Sequence, residues 1–195
     1  MIRHITLYYA SISLKNTVQS LLWWMILFWR SPAQHRARLT ELIGHKYHEG
    51  SWFVFGSARS GLAAFFKASG VGQGDEVIIS SYTCLAVPTA IVAVGATPVY
   101  IDINPRSLSL DEKLLWSSVT ARTKAIIVQH TLGNPAPIVE IQRKAIAKGL
   151  LVIEDCALSL GTKIGSQYVG TLGDAAIFSM ELSKTLSSGW GGLLL

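Results

Sequence analysis

The chain has 195 residues, half of them apolar and only 15% charged; this excludes a disordered polymer and suffices for one domain, or most of one, with a real core. Two cysteines, Cys84 and Cys156, cannot build a disulfide framework, and no Cys/His cluster has zinc-ligand spacing, so a reducing, cytoplasmic setting is expected. The net charge of +5 lies mostly in residues 1–50, which carry +4 and leave a body of +1, so a basic nucleic-acid-binding face is not expected.

The first feature in chain order is LLWWMILFW, Leu21 to Trp29, an apolar run between Lys15 and Arg30. A spanning helix needs about 20 apolar residues, so the run is too short to cross a bilayer by itself. A helix packed on the body or on a partner subunit is the first reading. An interfacial helix whose tryptophans and basic residues touch an anionic membrane surface ranks behind it. A cleaved signal ranks last, because its charged leader would be far too long. Residues 1–35 are therefore read as a hydrophobic and basic extension, broken at Ser31-Pro32.

From residue 36 the pattern is regular. Arg38 to His45 predicts a short helix with Leu39, Leu42 and Ile43 on one face. Trp52 to Phe55 reads as a strand. Ser57 to Ser69 reads as a helix, capped by Ser57 and stopped by Gly70. Short runs rich in β-branched residues follow at 76–80, 97–101, 124–129, 150–154, 175–179 and 191–195, with helical stretches at 84–95 and 138–149. Strands apolar throughout, alternating with helices, predict an α/β fold: a mostly parallel sheet covered by helices on both faces.

Ligands of open α/β sheets bind beyond the carboxyl ends of the strands. Asp155 follows the run 150–154, Lys184 follows 175–179, and Ser57-Ala58-Arg59 opens a helix after 52–55. Each has an ordinary reading, as a turn cap, a surface lysine and a helix cap. Gly70-Val71-Gly72-Gln73-Gly74 follows a helix and precedes a strand, the wrong order for a dinucleotide loop, and is a turn. His130 is given no role from spacing; a satisfied loop histidine is the ordinary reading. Taken together, a lysine, an acid and a helix N-terminus fit pyridoxal 5'-phosphate, which needs an amine to hold it, a carboxylate for its pyridine nitrogen and an anion site for its phosphate.

The stretches GVGQGDEVIISSYTCLAVPTAIVAVGATPVYIDINP, RTKAIIVQHTLGNPA, VIEDCALSLG and GTLGDAAIFSMELSKTLSSGWGG resemble the DegT/DnrJ/EryC1/StrS sugar aminotransferases, pyridoxal-phosphate enzymes of fold type I. The resemblance covers about residues 36–195. It implies that Lys184 is the cofactor-binding, catalytic lysine and that Asp155 pairs with the pyridine nitrogen. It also implies that Ser57, Ala58, Arg59 and Ser179 hold the phosphate. Ala58 and Arg59 replace a usual Gly and Thr; Leu158 stands for a usual Gln; Cys84 stands where an aromatic often stacks on the ring, with Tyr82 nearby. The implied reaction moves an amino group from an amino acid, by family habit glutamate, to a keto sugar, typically nucleotide-linked. Full-length members are homodimers with a further C-terminal portion. Residues 36–195 are thus expected to be a partial large domain that stops within the strand-like run 191–195, with strands left without neighbours and an unpaired edge exposed. The rival expectation is a non-catalytic, truncated protein of the same fold with a binding or structural role.

Overall fold

A computed structural model describes residues 17, 18, 21, 22, 25, 31–47 and 50–195. Most of the run from Leu21 to Trp29, and with it the reading of residues 1–35, lies outside the described residues.

Helix α1 spans Pro32–Tyr47. Ser31 and Pro32 start it: the Ser31 hydroxyl accepts from the Gln34 amide at 3.3 Å, the Gln34 side chain accepts from the Ser31 amide at 3.2 Å, and proline at the first helical position sacrifices no hydrogen bond. The helix therefore begins six residues before the predicted Arg38, and position 35 falls inside it. Its last residue, Tyr47, is buried against Trp52, Tyr168 and Phe178, with ring centroids 4.7–5.6 Å apart. Burial pushes the Tyr47 phenol up to about 12, although its oxygen accepts from the Gly161 amide.

The body contains β1 (Phe53–Phe55), α2 (Ala58–Ala68), β2 (Glu76–Ser80), α3 (Ala86–Val92), β3 (Thr97–Ile101), α4 (Glu112–Ser117) and β4 (Thr123–Gln129). These are followed by α5 (Ile138–Ile146), β5 (Leu151–Asp155), β6 (Lys163–Ile164), β7 (Gln167–Tyr168), β8 (Ala175–Ser179) and β9 (Gly192–Leu194). Seven strands form one sheet in the order β1-β9-β8-β5-β4-β2-β3, and β6 and β7 form a separate hairpin. Neighbouring strands are parallel except where β9 runs antiparallel to both β1 and β8. The expected mostly parallel α/β sheet is present.

Alternation along the strands divides the core between two faces. Val77, Ile79, Ile127, Ile153 and Ile177 pack with Leu62 and Phe66 of α2 and Ile91 of α3. Ile78, Ile126, Val128 and Val152 pack on the other side with Ile138 and Ile141 of α5. Each fully buried isoleucine contributes about 1.5–3 kcal/mol relative to an exposed one.

Two expectations are corrected. The run at 191–195 is not left without neighbours: Ile177, Phe178 and Ser179 pair it on one side and Phe53, Val54 and Phe55 on the other. The strand predicted at 150–154 begins and ends one residue later, so Asp155 is its last residue rather than the first beyond it.

Candidate active site

A cleft of about 360 Å³ opens at the carboxyl ends of β5 and β8, against the start of α2. All six predicted site residues, Ser57, Ala58, Arg59, Asp155, Ser179 and Lys184, line it. A cavity of about 420 Å³ opens at the other end of the strands, beside the start of β8; its one acid, Asp174, is occupied by the Val152 amide at 2.7 Å. The chemistry-bearing groups are in the smaller space.

Asp155 is 5% exposed. Its Oδ1 accepts from the Ala157 amide at 3.0 Å, while Oδ2 has no hydrogen-bond partner among the described residues. Burial pushes the carboxyl above its ordinary range, and the Ala157 amide and the positive charge of Lys184 pull against that shift. Lys184 closes a turn that follows β8, its amide donating to the Glu181 carbonyl at 3.0 Å. Its ammonium makes no salt bridge among the described residues. A buried, under-bonded acid and an uncommitted amine therefore face one space.

The start of α2 forms another wall of the cleft. Ser57 caps the helix: its hydroxyl accepts from the Ser60 amide at 3.2 Å, while the Ser60 hydroxyl accepts from the Ser57 amide at 3.1 Å. The hydroxyls of Ser57 and Ser60 also bond each other at 3.0 Å. The amides of Ala58 and Arg59 head the helix, where N–H groups have no intrahelical acceptor and the dipole favours an anion. Gly192 of β9 lies against this turn. A Cβ at Gly192 would collide with the backbone of Ser57 and Ala58, so only glycine permits the approach.

Ser179, the last residue of β8, accepts at its hydroxyl from the Glu181 amide at 3.5 Å. Cys84 lines the cleft, whereas Tyr82 and Leu158 do not. Sequence reasoning missed Glu181, Trp190 and Gly192. Glu181, also on the lining, carries a carboxyl held below its ordinary range by Ser183, with Lys184 adding to the effect. Its position three residues before the lysine was the available signal.

His130 is fully buried and satisfied at both ring nitrogens, by Glu154 and by the Ala136 amide. Among the described residues, His130, Glu154 and Cys156 group closely enough to consider a metal. Their ligand atoms are already committed: Glu154 accepts four hydrogen bonds, and burial raises the Cys156 thiol, keeping it protonated.

The lining therefore offers an amine, a buried acid and a helix N-terminus, the donor set that pyridoxal phosphate requires. The under-bonded Asp155 supports that fit, because a pyridinium would supply the missing partner.

Known proteins share both sequence and shape with this chain. It is 40% identical over 136 residues, 70% of this chain, to an L-glutamine:2-deoxy-scyllo-inosose aminotransferase of Streptomyces kanamyceticus. It is 40% identical over 140 residues, 71% of this chain, to a UDP-N-acetyl-3-dehydro-alpha-D-glucosamine 3-aminotransferase of Acidithiobacillus ferrooxidans. The solved aminotransferase TlmJ of Streptoalloteichus hindustanus superposes with a TM-score of 0.87 at 26% identity, covering 100% of this chain. The chain spans only 32% and 38% of the length of these two curated relatives and 52% of that structure. A model of the DegT/DnrJ/EryC1/StrS aminotransferase family matches residues 27–195, and the chain belongs to that family.

Proposed function

We propose that this chain carries the cofactor-binding part of a pyridoxal-phosphate aminotransferase that moves an amino group from glutamate to a nucleotide-linked keto sugar. The observation that carries this reading is the meeting of Lys184, Asp155 and the start of α2 in one cleft. The cofactor supplies an electron sink for the bond changes at the amino-bearing carbon. Lys184 would hold the cofactor through its amine and, once that amine is free, would serve as general acid and base beside the substrate. Asp155 keeps the pyridine nitrogen protonated. Ser57, Ala58, Arg59 and Ser179 hold the phosphate, the first three with the amides and charge at the head of α2.

Residues 36–195 act in this reading as a partial large domain, with residues 1–35 as an extension that packs on the body or a partner. The working enzyme is a cytoplasmic homodimer. Among the described residues no helix is long and apolar enough to cross a membrane. The first relative named above carries L-glutamine in its name, so glutamate and glutamine are the two donors to compare.

The test is borohydride reduction in the presence of pyridoxal phosphate, followed by peptide mapping. The cofactor is expected on Lys184; labelling elsewhere, or none, overturns the assignment. Native mass spectrometry separates the cofactor-loaded dimer from the non-catalytic alternative, which requires a cofactor-free chain. Supplying each donor with a set of nucleotide-linked and free keto sugars then identifies the substrates by amine formation.

A further inference from the structure

Glu154 and Asp155 are consecutive residues of β5, so their side chains leave opposite faces of the sheet. Asp155 enters the cleft. Glu154 is fully buried on the other side, and both of its oxygens are taken. Oε1 accepts from the amides of Leu172 and Gly173, both at 2.7 Å. Oε2 accepts from the Gly170 amide at 2.8 Å and from His130 Nε2 at 2.9 Å.

The histidine's role in that bond follows from its other nitrogen. Nδ1 accepts from the Ala136 amide at 3.0 Å, which places the ring proton on Nε2, donated to Glu154. The backbone amide of His130 in turn donates to the carbonyl of Asp155 at 3.1 Å. A closed circuit results: the Asp155 carbonyl to the His130 backbone, the His130 ring to the Glu154 carboxylate, and Glu154 to Asp155 through the chain. On the far side of the strand end, the Cys156 amide donates to the Ile177 carbonyl at 2.9 Å. Gly173 brings the loop within reach, since a Cβ there would stand 2.7 Å from the Val152 carbonyl oxygen.

Apolar packing of equal volume often stabilises a core as well as a buried ionised group does, so what such a network provides is fixed geometry. We infer that His130 and Glu154 are positioning residues: their buried pair fixes the end of β5, and with it the place of the Asp155 carboxylate opposite Lys184. This inference deepens the proposed function and rests on it for the identity of the group that Asp155 meets.

The experiment uses the full chain with His130→Asn and His130→Gln. Asparagine keeps an acceptor for the Ala136 amide but withdraws the donor from Glu154; glutamine keeps a donor near the former Nε2. Three readouts are taken: pyridoxal-phosphate affinity by tryptophan quenching, the titration of the Asp155 carboxyl by carbon NMR without cofactor, and the His130 tautomer by nitrogen NMR in the unaltered protein. The expected result is a loss of about tenfold or more in affinity for His130→Asn, the worth of one hydrogen bond to a charged group. Its Asp155 titration is displaced from the parent's, and His130→Gln restores most of both.

A folded His130→Asn variant with unchanged affinity and titration overturns the inference. So does a proton found on Nδ1 in the unaltered protein, which requires no variant to fold. Equal losses in both variants, tracking only a lower melting temperature, reduce the pair to core structure and also overturn it. Failure of the aminotransferase reading is distinguishable, because the unaltered protein then takes no label on Lys184. In that event the tautomer and the Asp155 titration alone decide whether the pair positions the acid.

Discussion

At one end of the parallel strands, where β2 and β4 begin, the buried carboxylate of Glu76 meets the Thr120 hydroxyl and the guanidinium of Arg122, whose Nε lies 2.8 Å away. At the opposite end, where β5 finishes, the buried carboxylate of Asp155 meets a single amide. The surroundings move the two acids in opposite directions. Hydrogen bonds from Thr120 and Arg122 hold Glu76 below its ordinary value of 4.5, whereas burial holds Asp155 above its ordinary value of 3.8. A carboxylate satisfied by its own chain braces the fold; one buried without sufficient partners stores unfavourable solvation that a cationic ligand can relieve. Unequal satisfaction thus separates the bracing end of the strands from the end that carries the proposed site.

The largest test of that contrast is Asp155→Asn. Loss of the charge opposite a bound pyridinium is expected to weaken pyridoxal-phosphate affinity by about a hundredfold, measured by absorbance titration. The cofactor-free variant should nevertheless melt higher than the parent at neutral pH. The sign follows from the raised acid: the folded parent is penalised while Asp155 is ionised and recovers as pH falls. The advantage of asparagine should therefore vanish below about 3.8, Asp155's ordinary value. A variant that melts lower at pH 7 would break the comparison.

Gly192→Ala comes next. Its methyl group would enter the backbone of Ser57 and Ala58, with an expected cost of about 1–3 kcal/mol in urea unfolding and weaker affinity for inorganic phosphate. Unchanged phosphate binding would remove α2 from the proposed site.

At the bracing end, Arg122→Ala should lower the melting temperature at neutral pH. Glu76 is depressed, so its contribution is complete above its ordinary value of 4.5 and is lost as pH falls through the folded value. The gap between parent and variant should close in acid; a gap that persists would mean that Arg122 acts by packing alone. The smallest effect belongs to Arg143→Ala. Its ion pair with Glu140 holds that carboxyl down to about 2, yet both groups face solvent, and a pair of that kind adds almost nothing to stability. The melting curve should match the parent's.

Much of the fold that surrounds the proposed site was legible in the residues themselves. β-branched runs such as Glu76–Ser80 and Ala175–Ser179 mark strands, because strands buried on both faces must be apolar throughout. Ser57 announces α2 because a cap is a local interaction three residues in reach. What escaped is non-local. β9 reads as any apolar run, and nothing in Gly192–Leu194 discloses antiparallel insertion between β8 and β1. His130 and Glu154 lie 24 residues apart and meet only when β4 and β5 pair. The short helix α4 and the β6–β7 hairpin are too brief for periodicity to register.

Insertion of β9 also dictates an order of assembly. Every other strand of the large sheet precedes residue 180, yet β1 reaches the rest of the sheet only through residues 192–194. A ribosome-bound chain lacking those residues can form the parallel centre but not the junction of β1 with β8, nor the wall behind Ser57 and Ala58. Because long-range closures form slowly, the proposed anion cradle near the beginning of the body should be among the last parts of the described chain to mature.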